Sequence, residues 1–214
     1  MSAISRTTRR AIASALALAT AGVALAPPAH AASDPVTAYA DLDGDGRQDR
    51  VTVEPVADNP NEQLLTATVR GIRLTARVPF DSVVGVQPMR VLDVDGDGRE
   101  EVAVTEVLGA HTRFLGVWGL LDGLRPVRMA DGTPVELVEG GGISSISRYG
   151  CRPGKGGREL VQVGALLVDW ETFGYEGERV TYSVRDGVAV ETARTPVSGG
   201  ADEVTSGMDP ATCA

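Results

Sequence analysis

Asp41-Leu42-Asp43-Gly44-Asp45-Gly46-Arg47-Gln48-Asp49 and Asp93-Val94-Asp95-Gly96-Asp97-Gly98-Arg99-Glu100-Glu101 are two versions of one nine-residue pattern. Each sets carboxylates at positions 1, 3, 5 and 9 and glycines at 4 and 6. Four acids crowded into nine residues repel one another unless a cation sits among them. Hard oxygen donors in a tight, glycine-bent loop suit Ca²⁺. The residues just after each loop bear on the fold. Val51-Thr52-Val53 and Val102-Ala103-Val104 are β-like, where an EF-hand would have a helix. Position 12, a bidentate Glu in an EF-hand, is Thr52 in one loop and Val104 in the other. An EF-hand is thereby excluded.

Beyond the loops, short β-like runs recur between Gly, Pro, Asp and Asn, and helical periodicity is hard to find after residue 32. Leu64 to Val69, Ile72 to Val78, Phe114 to Leu120, Leu160 to Val168, Arg179 to Val184 and Val188 to Ala193 read as further strands. Arg185-Asp186-Gly187 and Leu121-Asp122-Gly123-Leu124 read as hairpin turns. The predicted fold class is all-β. The loops stand 52 residues apart, and Gly157-Arg158-Glu159-Leu160-Val161-Gln162-Val163 echoes Gly98 to Val104 at an offset of 59. In that register Asp93, Asp95, Asp97 and Glu101 fall on Arg152, Gly154, Gly156 and Leu160, so every acid is lost and Lys155 is added. The expectation is three antiparallel units, about 36–88, 89–146 and 147–197, with a tail at 198–214. Two units would carry metal. The third would be metal-free, its turn held by a disulfide.

The first 31 residues read as a cleaved signal peptide. Arg6, Arg9 and Arg10 precede the apolar run Ala11 to Ala26, and Ala29-His30-Ala31 offers a cleavage site. Cleavage leaves a single domain, 32–214, with no membrane span, secreted to the cell exterior. It removes three Arg and no acid, so the net charge moves from −9 to −12. That argues against nucleic acid and anionic surfaces as partners. Cys151 and Cys213 both fall in the exported part, where an oxidising compartment favours a disulfide over a free thiol or metal ligand. Closing a loop of roughly 60 residues is worth about 4 kcal/mol on the chain-entropy model.

No catalytic motif emerges. His111 stands alone in a turn, and Gly140-Gly141-Gly142 with Ser144 and Ser145 reads as a flexible loop. Asp169 and Glu171 flank Trp170, the one place where a hydrolase pair is conceivable; solvated acids at a strand end are the plainer account. Trp118 and Trp170 read as core between units. Arg125, Arg128, Arg148 and Arg152 form a loose basic cluster along the chain.

The Asp-x-Asp-x-Asp-Gly-x-x-Asp loop leading into a strand, repeated every 50 to 60 residues, resembles the FG-GAP or VCBS-type repeat of integrin α-subunit propellers and many secreted bacterial proteins. The Phe-Gly and Gly-Ala-Pro signatures that name the family are absent in clear form. The resemblance implies four-stranded antiparallel blades with Ca²⁺ in the loop between the first strands. It makes Asp41, Asp43, Asp45 and Asp49 side-chain ligands of one ion, with the Arg47 carbonyl at the seventh position. Asp93, Asp95, Asp97 and Glu101, with the Arg99 carbonyl, would hold the second. Three units are fewer than the roughly four to eight blades of a propeller, so an open, sandwich-like stack or a small irregular propeller is expected. The function implied is a non-catalytic extracellular binding module, its partner a protein or a glycan. A small polysaccharide hydrolase or its accessory subunit, and a structural exoprotein without a ligand, are the alternatives.

Overall fold

A computed structural model describes residues 34–214; the expected signal segment lies outside the described residues. β1 (Val36–Ala40), β2 (Asp49–Val56), β3 (Asn59–Val69) and β4 (Ile72–Pro79) pair in chain order as an antiparallel meander. β5 (Arg90–Leu92), β6 (Glu101–Leu108), β7 (Thr112–Leu120) and β8 (Leu124–Pro126) repeat that succession. After β9 (Arg128–Met129) and β10 (Glu136–Gly140) come four long strands: β11 (Ser145–Gly154), β12 (Gly157–Asp169), β13 (Gly174–Arg185) and β14 (Val188–Gly199). β10 pairs with both β7 and β11 and so fuses the later strands into one ten-stranded sheet. Its path ends at β5 and at β9, without closing into a barrel. The all-β class is as expected.

Turn chemistry accounts for the hairpins. Asp122-Gly123 and Asp186-Gly187 have positive φ at both residues, as the tight turns that match strand twist require. Arg70-Gly71 is a third such turn, at φ 50° and 79°.

The burial pattern explains how the layers stack. β6 and β7 are buried over runs of consecutive residues, where a one-faced strand would alternate. Val102, Val104 and Trp118 pack with Val51, Val53, Leu65 and Ala67 of the first sheet. Ala103, Leu115 and Val117, facing the other way, pack with Tyr149, Leu160 and Val184. The β5–β8 meander is therefore a middle layer, covered on both sides.

The chain after β14 is not a loose tail. It forms a short helix, α1 (Ala201–Val204), and a 3₁₀ turn (Pro210–Cys213) whose Asp209 carboxylate accepts the Ala211 N–H. Arg179 fastens this segment by donating to the carbonyls of Val204 and Ser206. The Thr212 hydroxyl accepts the Cys151 N–H, and Cys151 and Cys213 are joined by a disulfide with Cα atoms 4.9 Å apart. No helix among the described residues is long and apolar enough to cross a membrane.

Candidate metal centre

One register recurs at three places. Ala40 pairs with Asp49, Leu92 with Glu101 and Cys151 with Leu160, and eight residues lie between the partners each time. Residues 41–48 and 93–100 form loops. Residues 152–159 do otherwise: Arg152 pairs with Glu159, Pro153 with Arg158 and Gly154 with Gly157, leaving a two-residue turn. The chemistry explains the difference. Arg152 donates to the Glu159 carboxylate at 3.0 Å, an attraction across the ladder, whereas the equivalent positions elsewhere are Asp41 with Gln48 and Asp93 with Glu100, neither of them an ion pair.

Each loop is built from its own acids. Leu42 and Val94, at position 2, are buried anchors. The position-9 carboxylate closes the loop by accepting the position-2 N–H: Asp49 from Leu42 at 3.2 Å, Glu101 from Val94 at 3.0 Å. Asp41 accepts the N–H groups of Asp45 and Gly46; Asp93 accepts that of Gly96. Arg47 and Arg99, whose carbonyls are the expected seventh-position donors, give their N–H groups to Asp45 and Asp97. Gly44, Gly46, Gly96 and Gly98 lie at φ 72–85°, the left-handed bends that wrap the turn around its acids.

Two groups of carboxylate oxygens result. Those of Asp41, Asp43 and Asp49 lie within 4.8 Å of one another, as do those of Asp93, Asp95 and Asp97. Either trio is able to hold a metal ion. Asp45 and Glu101 stand outside these close groups. The donor set is entirely carboxylate, without His or Cys, which fits a hard cation. Burial, with Asp95, Asp93 and Asp97 adding to it, pushes Glu101 up to about 8. Asp49 and Asp95 are raised too, first by burial and then by neighbouring acids. A cation would relieve this repulsion directly.

Arg70 was invisible as a site residue in the sequence. On its left-handed turn it sets Nε 2.6 Å from Asp43 and 3.6 Å from Asp45. The Arg-Gly pair between two strand-like runs is the signal that could have placed a turn there. Arg70 is an internal counter-ion that would compete with a cation for Asp43. Arg70→Ala is therefore expected to tighten cation binding at the first loop alone, by up to about fivefold, since an exposed pair is worth at most about 1 kcal/mol. Calorimetric titration of the variant checks this.

The loops also touch each other. Glu100 accepts the Asp41 N–H at 2.6 Å and the Gln48 amide at 3.3 Å, and its own N–H donates to the Asp41 carbonyl. Gly44 leaves room for the Arg99 side chain, which a Cβ would approach to 2.9 Å.

The remaining candidates lie elsewhere. His111 is exposed in the β6–β7 turn, its carbonyl accepting the Gly141 N–H. Asp169 accepts from the Thr172 hydroxyl and from the N–H groups of Glu171 and Thr172, which hold its carboxyl below the usual range. It orders a hairpin tip. Trp118 is buried as expected, but Trp170 is 61% exposed, a correction to its reading as core: it lies in the turn after β12, beyond either packed layer. Arg125, Arg128 and Arg152 each turn to a local acceptor, at Asp122, Gly132 and Glu159.

The chain matches no protein-family model, and neither a curated protein sequence nor a solved structure matches it.

Proposed function

We propose that the protein is a secreted, non-catalytic Ca²⁺-binding repeat module of FG-GAP/VCBS type, with three stacked blade-like units. Two units bind one structural ion each. The third is closed by its ladder and disulfide. The module acts at the cell exterior by binding a protein or a glycan. The single observation that carries the reading is the pair of carboxylate trios at equivalent positions of two equivalent loops. Ca²⁺ is preferred because the loops offer oxygen alone, from several carboxylates on one short turn. Extracellular modules bind it at about 10⁻⁴–10⁻³ M, and the disulfide belongs to the same oxidising environment.

Calorimetry on point variants tests it. The protein should bind two equivalents of Ca²⁺. Asp43→Ala and Asp95→Ala should each remove one, while Lys155→Ala should leave both. A change in stoichiometry with Lys155→Ala would overturn the metal-free third unit, and an absence of binding in the unaltered protein would overturn the reading itself.

A further inference from the structure

The position-1 residue of each loop is held from outside the loop, by different chemistry at the two places. At Asp41 one residue, Glu100, engages both the N–H and the carbonyl. At Asp93 the N–H donates to the Cys213 carbonyl at 2.6 Å, and the carbonyl accepts from Arg158 Nη1 at 2.6 Å. The same Nη1 reaches the Cys213 carbonyl at 2.9 Å, and Nη2 reaches that of Ala214 at 3.1 Å. The Arg158 N–H donates to the Asp95 carbonyl at 3.2 Å. Gly96 permits this approach, since a Cβ there would come to 3.1 Å from the backbone nitrogen and Cβ of Arg158. Arg158 is the counterpart of Arg99, which sits over Gly44 in the same way but turns its guanidinium back onto Asp97. With no acid on its own two-residue turn, Arg158 is free to reach the loop beside it.

We infer that Arg158 is a positioning residue of the second cation site, fixed there by the C-terminal carbonyls that the Cys151–Cys213 disulfide pins. The inference rests on the proposed metal-binding function. The Arg158 backbone N–H holds the Asp95 carbonyl while its guanidinium holds the Asp93 carbonyl, on the two sides of Val94, so the side chain fixes Asp93 relative to Asp95. Groups that orient ligands from behind typically govern metal affinity by about 10–100-fold. The first loop is held by Glu100 of the second loop and has no direct contact with Arg158 or the pinned C-terminal carbonyls, so it feels the disulfide only indirectly.

The sign of the effect separates positioning from charge. A guanidinium near a cation site repels the ion, so removing it for charge reasons alone would tighten binding. Positioning requires the reverse. The test is a Ca²⁺ titration by calorimetry in two backgrounds, Asp43→Ala to isolate the second loop and Asp95→Ala to isolate the first. In the first background Arg158→Met is expected to weaken binding by about tenfold or more, and Arg158→Lys, which keeps the charge but loses the fork, to weaken it also. The joint variant Cys151→Ser with Cys213→Ser should act in the same direction. In the Asp95→Ala background all three should leave affinity within about twofold. Tighter or unchanged binding at the second loop with Arg158→Met, or equal weakening of both loops, overturns the inference. A readout without calcium keeps it separate from the proposed function. Amide exchange at Gly96, Asp97 and Arg99 should quicken in calcium-free Arg158→Met, and unchanged exchange there overturns the positioning role whether or not the loops bind Ca²⁺.

Discussion

Adding about 10 mM Ca²⁺, about 100 times a dissociation constant of about 10⁻⁴ M, to the EDTA-treated protein is expected to raise its melting temperature by roughly 10–20 °C. A ligand present at 100 times its dissociation constant stabilises the folded state by about 2.7 kcal/mol per site, so two sites give about 5 kcal/mol. For a domain of this size each kcal/mol moves the transition by about 2–4 °C. The direction comes from the loops. Without an ion, Asp41, Asp43 and Asp49 share one small volume and Asp93, Asp95 and Asp97 another, while Glu101 is buried behind the second trio. The unfolded chain separates these acids and the folded chain crowds them, so repulsion favours unfolding until a cation intervenes. Mg²⁺ at the same concentration should do less, because it demands near-octahedral geometry and dehydrates reluctantly. Differential scanning calorimetry in EDTA, Ca²⁺ and Mg²⁺ measures all three states. Coincident transitions in the three would reduce the loops to acidic surface turns.

Much of this site was legible because it is local. Asp41 to Asp49 and Asp93 to Glu101 carry the acids, the bends and the entry into a strand within nine residues, and the structure builds each loop from its own acids. Asp122-Gly123 and Asp186-Gly187 turn where local chemistry says they should. The illegible parts all depend on partners far along the chain. Val102 to Thr105 is buried on both faces because it lies between two layers, and only the stacking tells which side chain goes to which. Arg70 and Arg158 matter through acceptors 25 or more residues away. The eight residues after Cys151 match the length of the other loops yet zip into a ladder. The loss of their acids was legible. That Arg152 and Glu159 would then face each other requires the strand register.

The two tryptophans supply the other large expected effect. Trp118→Ala should cost about 3–5 kcal/mol, the usual range for deleting a buried aromatic, and should lower the melting temperature by roughly 10 °C or more. Trp118 sits on β7 opposite Val102 on one side and Pro126 on the other, its ring in the core shared with the first sheet. Its indole N–H donates to Glu106 at 3.3 Å, and Gly116 leaves the space in which they meet, since a Cβ there would come to 2.0 Å from the carboxylate. Burial raises the Glu106 carboxyl, so truncating Trp118 strands a half-buried acid as well as opening a cavity. Trp170→Ala, by contrast, should change stability by less than about 0.5 kcal/mol, as surface substitutions do. Because the chain has only these two tryptophans, fluorescence reads the same contrast without denaturing anything. Trp170→Phe should leave a single blue-shifted emission from Trp118, and Trp118→Phe a red-shifted one that an aqueous quencher reaches. A Trp170→Ala variant that melts as low as Trp118→Ala would mean that the β12–β13 tip is packed against another layer, and the stack would then need a different closure.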